Sequence, residues 1–248
     1  FGKASDYVDC RSVREVFEAV ERGRADVGVV PVENSLSGAV PETLDCFLTS
    51  RLGIIGEHYQ AIHHCLLARV PVEQIRRLYT HPQALNQCRR FVREKLAGVE
   101  IINQSSTAAA AQAAAEEEAA AAIGPAEAAA AYGLKVVARN IEDFANNRTR
   151  FFVIGRGRPA PTGKDKTSIV FSTRHVAGAL HEALTPLRVY GINMTMIQSR
   201  PVPGRLFEYV FFVDFEGHIT QPRVREAMEE LRSHCSKLAI LGSYPAAD

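Results

Sequence analysis

The chain has no tryptophan and only three methionines, and no apolar run approaches the roughly 20 residues that a helix needs to cross a bilayer. Nothing near its start reads as a secretory leader. Its five cysteines (Cys10, Cys46, Cys65, Cys88, Cys235) are an odd number, widely scattered, with no Cys-x-x-Cys pair. That usage argues against a disulfide framework or a zinc site, and predicts reduced thiols in a cytoplasmic protein. An excess of one charge is also lacking: 29 Lys and Arg against 28 Asp and Glu leave a formal charge of +1. The basic surplus that nucleic-acid binding draws on is therefore missing. So are Gly-x-Gly-x-x-Gly, Gly-x-Ser-x-Gly and His-Glu-x-x-His. Gly157 to Lys164 fails as a phosphate loop, because five residues separate Gly157 from Gly163 where the motif needs four, and Asp165 replaces its Ser or Thr.

What is present is ordinary globular material: 248 residues, 46% of them apolar and 23% charged, enough for two domains. Gly155 to Lys164, rich in Gly and Pro, reads as the linker between them. Phe1-Gly2 resembles the capped end of a helix, so the chain is expected to begin partway through a domain. Upstream of the linker, helices and strands alternate. Ser12-Val-Arg-Glu15 is a capping box opening a helix that Gly23 closes. Asp26 to Pro31 reads as a buried strand, Leu44 to Leu48 as a helix, and Gly53 to Leu67 as one extended strand. His81-Pro82 opens a helix through Val92, Val99 to Ile102 is a strand, and Ser105-Ser106-Thr107 caps another helix. Sixteen alanines in the 24 residues from Ala108 to Ala131 predict helix, broken at Gly124-Pro125, with Glu116 to Glu118 on a solvated face. This alternation points to an α/β sheet domain. Downstream, strands at Thr167–Ser172, Asn193–Gln198, Leu206–Phe215 and Leu238–Leu241 surround helices at Gly178–Val189 and Pro222–His234, with a turn at Pro203-Gly204. That order, βαββαβ, is ferredoxin-like.

Four polar clusters stand out: Glu33-Asn34-Ser35 with Gly38, Thr80-His81-Pro82-Gln83, Ser105-Ser106-Thr107, and Asn147-Arg148-Thr149-Arg150. Each alone is a cap or a turn. Read together, at junctions where strands meet helix N-termini, they favour a site for a small anion. His63 and His64 are adjacent on a strand and so point to opposite faces, which disfavours a shared metal.

In order along the chain, Val30-Pro-Val-Glu-Asn-Ser-Leu-Ser-Gly38, Thr80-His-Pro-Gln-Ala-Leu-Asn-Gln-Cys88, Ser106-Thr-Ala-Ala-Ala110 and Asn147-Arg-Thr-Arg-Phe151 resemble the signatures of prephenate dehydratases. Gly178-Ala-Leu180 and Ile192-Asn-Met-Thr-Met-Ile-Gln-Ser-Arg-Pro201 resemble the two markers of the ACT regulatory domain, with Gln198 where that motif usually has glutamate. The resemblance implies a two-lobed, periplasmic-binding-protein-like catalytic domain over 1–156. Its lobes are about 1–58 plus 140–156 and 59–139, followed by linker 157–165 and an ACT domain over 166–248. The family's usual first strand and helix have no counterpart here.

The implied reaction converts prephenate to phenylpyruvate with loss of carbon dioxide and water, needs no cofactor and no metal, and serves phenylalanine synthesis. Thr149 is implied nearest the chemistry, as a hydrogen-bond donor to the departing hydroxyl, with Arg150 and Asn147 beside it. Arg150 either anchors a substrate carboxylate or braces the loop. Glu33, Asn34, Ser35, Gly38, His81, Gln83, Ser106, Thr107 and Phe151 are implied in substrate positioning, His81 being as well placed for a cap. Phenylalanine is implied as the effector, held by Gly178, Ala179, Leu180 and Asn193, with Ser199, Arg200 and Pro201 closing the pocket from the next subunit of a homodimer or homotetramer. Two alternatives stay open: arogenate as substrate, and a non-catalytic receptor for an amino acid or anion.

Overall fold

The computed structural model describes residues 5–202 and 208–247. The expected Phe1-Gly2 helix end, the Pro203-Gly204 turn and Leu206 lie outside them. The chain separates into two compact units, residues 1–60 with 149–248, and residues 61–148.

The first unit opens with α1 (Val13–Glu21), β1 (Val27–Asn34), β2 (Gly38–Ala39), α2 (Pro41–Phe47) and β3 (Gly53–Ala61). Ser12 caps α1 by accepting from the N–H of Glu15 at 3.2 Å. The Glu15 carboxylate bonds back to the N–H of Arg11, one residue earlier than in a strict capping box. The second unit holds β4 (Cys65–Ala68), β5 (Arg77–Thr80), α3 (Pro82–Gln87), α4 (Arg89–Lys95), β6 (Glu100–Asn103), α5 (Thr107–Ala115), β7 (Ala120–Gly124), α6 (Ala126–Ala131) and β8 (Lys135–Ala138). The chain then returns to the first unit through β9 (Arg148–Gly155), β10 (Asp165–Thr173), α7 (Ala179–Val189), β11 (Met194–Pro201), β12 (Tyr209–Glu216), α8 (Pro222–His234) and β13 (Cys235–Pro245).

Within the first unit, one sheet runs β2-β1-β9-β3 and the other β11-β12-β10-β13. The second is the expected ferredoxin-like arrangement, with α7 and α8 on one face around Ile169, Phe171, Val213, Phe215 and Leu231. Its other face joins the core of the first sheet: Met196, Phe212 and Tyr244 share a buried cluster with Phe17, Leu44, Phe47 and Phe152. Edge-to-face ring contacts run Phe17–Phe47–Phe152–Tyr244 at centroid distances of 5.0, 6.2 and 5.9 Å. The sheets approach closely at Gly242, where an added Cβ would sit 2.1 Å from the Ile54 carbonyl oxygen. Only glycine fits there.

The second unit is a five-stranded sheet, β6-β5-β7-β4-β8. Here the expected long alanine helix is corrected. It stops at Ala115, and Ala120–Gly124 forms a fully buried central strand, parallel to β5 and antiparallel to β4. Helix propensity differs by only tenths of a kcal/mol per residue, so two hydrogen-bonded neighbours and complete burial override it. The small side chains of Ala110, Ala111 and Ala114 let α5 lie close on this strand. Glu116 to Glu118 form the intervening turn, not a helix face; Glu117 accepts from Arg77 Nη1 at 2.5 Å and from the Tyr79 hydroxyl at 2.8 Å.

Two other expectations change. The strand expected over Gly53–Leu67 breaks at residues 62–64, where the Ile62 N–H turns to the Asn147 carbonyl and the His64 N–H to Glu142. The helix expected from Pro82 to Val92 breaks at Cys88, because the Asp143 carboxylate accepts from the N–H of Arg90 and starts α4 afresh. Residues 140–148, expected with the first lobe, belong to the second unit, where Ile141 is buried against Leu66 and Leu78. All five cysteines are free thiols. Among the described residues, no helix is long and apolar enough to cross a membrane.

Candidate functional site

The sharpest polar geometry in the first unit joins two of the expected residues. β1 and β9 are antiparallel, and Asn34 stands opposite Thr149. The Asn34 Oδ1 accepts from the N–H groups of Leu36 (3.1 Å) and Ser37 (3.0 Å), an Asx turn between β1 and β2. That turn fixes which end of the amide is which, so Nδ2 faces Thr149 and donates to its Oγ1 at 3.0 Å. The bond uses a lone pair of the hydroxyl oxygen and leaves its proton for a second partner. Glu33 stands opposite Arg150 and Ala39, while Ser35 and Gly38 line the exposed turn and Phe151 is half-buried. The Asn147–Arg150 cluster begins a strand and does not precede a helix, contrary to the expected junction.

Arg150 leaves the opposite side of β9 and is 3% exposed. Its Nε and Nη2 lie 2.7 and 2.6 Å from Glu57 Oε2, and Nη1 donates to Asp214 Oδ2 at 2.5 Å. Nη2 also donates to the Tyr244 hydroxyl at 3.2 Å, and the guanidinium lies 4.8 Å over the Phe152 ring. Lys166 Nζ completes the cluster at 2.9 Å from Glu57 Oε1, so two cations face two carboxylates. Burial works against the Arg150 charge, but Asp214, Tyr244 and Glu57 outweigh it and hold the guanidinium firmly protonated. Burial likewise pushes the Asp214 carboxyl up, against the pull of Arg150.

In the second unit, His81 Nδ1 accepts from the Gln83 N–H at 3.2 Å, the geometry of the helix cap. Ser106 caps α5 through the Ala109 N–H at 3.0 Å, with Thr107 at the first helical position. Asn147 is buried and donates through Nδ2 to Gln87 Oε1 at 3.0 Å, an atom that also lies 2.7 Å from His64 Nε2. His63 and His64 lie in the break between β3 and β4 and not on a strand as expected; His63 Nδ1 lies 2.8 Å from Glu142 Oε1, and the His64 backbone N–H donates to Oε2 at 2.9 Å. Burial would raise the Glu142 pKa, but these two donors hold it below its ordinary value.

The expected effector residues sit at the start of α7 and on the edge strand β11. Gly178 is exposed, with φ +82°, a left-handed conformation that suits glycine, and it immediately precedes Ala179 and Leu180 of α7. Asn193 Nδ2 donates to Glu216 Oε1 at 3.1 Å. Ser199 and Pro201 are exposed. Arg200 binds Asp45 of the same chain through both Nε and Nη2, at 2.9 and 2.6 Å, a partner that the sequence did not mark.

No local pattern marks Glu57, Lys166, Asp214 and Tyr244 as partners of Arg150, or Glu142 as the partner of His63. A signal for Asp214 was available, since a lone acid within Tyr209-Val-Phe-Phe-Val-Asp-Phe215 cannot be buried without a cation.

The family model described as prephenate dehydratase matches residues 1–159, and that of the ACT domain matches residues 167–233. A bifunctional chorismate mutase/prephenate dehydratase of Aquifex aeolicus is 45% identical over 248 residues, all of this chain and 68% of the relative. The solved prephenate dehydratase of Arthrobacter aurescens in complex with L-Phe is 39% identical, with TM-score 0.89 over 97% of this chain and 82% of that one. GqqA, described as a quorum quenching acylase, is 34% identical, with TM-score 0.87 over 96% and 88% of the two chains.

Proposed function

Because this chain belongs to the prephenate dehydratase family, and carries an ACT domain behind the matching region, we propose that it converts prephenate to phenylpyruvate in the cytoplasm under control by phenylalanine. Loss of the ring carboxylate as carbon dioxide releases an electron pair into the ring, and the ring becomes aromatic as the C–O bond to the hydroxyl breaks. The oxygen departs with the pair of the broken C–O bond and must take up a proton to become water. The protein's tasks are to hold anionic substrate and to stabilise the departing oxygen.

The observation that carries the reading is the Asn34–Thr149 bond. With its oxygen already accepting from Asn34, the Thr149 hydroxyl is oriented as a donor to the leaving group. A threonine hydroxyl is too weak an acid to surrender its proton outright, so its contribution is electrostatic. Asn34, Ser35 and Gly38 supply hydrogen bonds for substrate positioning. The cap that His81 makes through Nδ1 supports a role in shaping its loop. Phenylalanine binding at the Gly178 turn, between copies of the chain, rests on the ACT match and on the L-Phe bound in the Arthrobacter relative. The exposed edge strand β11, with Met194 and Ile197 half-open to solvent, suits self-association into a dimer or tetramer.

The test is to incubate the enzyme separately with prephenate and with arogenate, and to follow phenylpyruvate absorbance and phenylalanine formation. Rapid phenylpyruvate production from prephenate is expected. Turnover of arogenate alone assigns the amino analogue as substrate, and turnover of neither overturns the reading.

A further inference from the structure

Thr149 and Arg150 are neighbours on β9, so their side chains leave opposite faces of the strand. We propose that Arg150 is a positioning residue for Thr149 and not a substrate ligand, and that the ACT-domain region supplies its anchors, Asp214 and Tyr244. The inference rests on the reading of Thr149 as the donor to the leaving group.

The guanidinium has five N–H donors, and each faces a protein atom: Glu57 Oε2 from Nε and Nη2, Asp214 Oδ2 and the Met196 sulfur from Nη1, and the Tyr244 hydroxyl from Nη2. At 3% exposure, with Phe152 stacked on it, the group could bind a carboxylate of substrate only by abandoning Glu57 or Asp214. It therefore works on the strand that carries it. The ladder between β1 and β9 shifts register between Pro31 and Glu33, directly beside the Glu33–Arg150 pair. That irregularity sets Arg150 opposite Glu33 and Thr149 opposite Asn34, and a slip of one residue would carry Thr149 away from Asn34 and its side chain to the other face. Arg150 pins β9 at this position from the face opposite Thr149.

The pins belong to another part of the sequence. Asp214 is on β12 and Tyr244 on β13; Ser168 on β10 holds the Tyr244 hydroxyl at 2.6 Å, and Lys166 holds the far oxygen of Glu57. The ferredoxin-like sheet thus completes the footing of the catalytic strand. A change in that sheet on binding an effector has a direct mechanical route to the Thr149 hydroxyl, two bonded contacts from Asp214.

The experiment is a double-mutant cycle on the whole enzyme, combining Asp214→Asn or Tyr244→Phe with Thr149→Ala. Misplacement of a catalytic group by a fraction of an ångström costs on the order of tenfold to a hundredfold in rate. Tyr244→Phe is expected to lower kcat about tenfold and Asp214→Asn about a hundredfold, each with KM within about twofold. In the Thr149→Ala background both effects should shrink to less than about threefold, because the group being positioned is gone. Effects of equal size in both backgrounds overturn the proposal, as does a raised KM at constant kcat, which would place Arg150 on the substrate. Tyr244→Phe keeps the whole ring in the core, so the cycle can be read even if Asp214→Asn fails to fold; unchanged kcat in a folded Tyr244→Phe enzyme also overturns it. A wild type inactive on prephenate, or Thr149→Ala retaining full rate, defeats the reading of Thr149 itself and is recognised before the cycle begins.

Discussion

Asn34 and Thr149 face each other across two antiparallel strands, and the amide nitrogen of one donates to the hydroxyl oxygen of the other at 3.0 Å. The direction of that bond decides where the Thr149 proton points. Thr149→Ala should lower kcat by about a hundredfold to a thousandfold, the effect of removing one preorganised donor worth roughly 2.7–4 kcal/mol. KM should stay within about threefold. Steady-state kinetics check both numbers.

Asn34→Asp tests the direction itself. The aspartate keeps an acceptor for Leu36 and Ser37, so the turn and the melting temperature should change little. Its second oxygen, however, accepts where Asn34 donated, and the Thr149 proton is drawn back toward it. We expect Asn34→Asp to lose more kcat than Asn34→Ala, although it is the more conservative change. Equal losses in the two variants would show that the orientation of the hydroxyl is unimportant.

How much of this was legible in the sequence follows from what each residue touches. Ser12, Pro82, Ser106 and Pro222 act on their own backbone, and the helices they open stand where such residues place them. The βαββαβ order was readable for the same reason. Arg150 could be flagged by its motif, but its choice between substrate and scaffold depended on Glu57, Asp214 and Tyr244, which are 93, 64 and 94 residues distant. Arg200 met the same limit through Asp45, 155 residues away. Side chains whose partners lie far along the chain carry no local mark of their role.

Glu142 links acidity to the fold of the second unit. Its folded pKa lies below the ordinary value of 4.5, held there by His63 and the His64 N–H against the effect of burial. The sign follows: a carboxylate depressed in the folded state contributes stability above its unfolded pKa and loses it as pH falls through the folded pKa. Glu142→Gln should therefore lower the melting temperature near neutrality, with the deficit narrowing as pH falls below about 4.5. Thermal melts from pH 7 to pH 3 check this. A deficit constant with pH would assign the effect to packing alone.

Gly178 offers a test of the effector site. At φ +82° a valine is strained by roughly 1–2 kcal/mol; an added Cβ meets nothing within 4 Å, so the change acts through the backbone turn that presents the first N–H groups of α7. Calorimetry should show saturable phenylalanine binding to the wild type and at least a tenfold weaker Kd in Gly178→Val. Linkage requires that prephenate analogues weaken phenylalanine binding by the same factor that phenylalanine weakens theirs.

The buried alanine strand has a consequence for how the molecule assembles. Ala120–Gly124 is encoded by residues that, left to themselves, would extend the helix before them, and it becomes a strand only once β5 and β4 stand on either side. Local preference and native structure are at odds over this segment, a small pocket of frustration in an otherwise consistent sequence. Its pairing must therefore come late, after the neighbouring strands have closed their loops, and helix already formed beyond Ala115 must unwind first. A low concentration of trifluoroethanol, which favours helix, should slow refolding of the second unit, while Ala121→Val, raising strand preference at the centre of the sheet, trades faster pairing against crowding in a site with no room to spare.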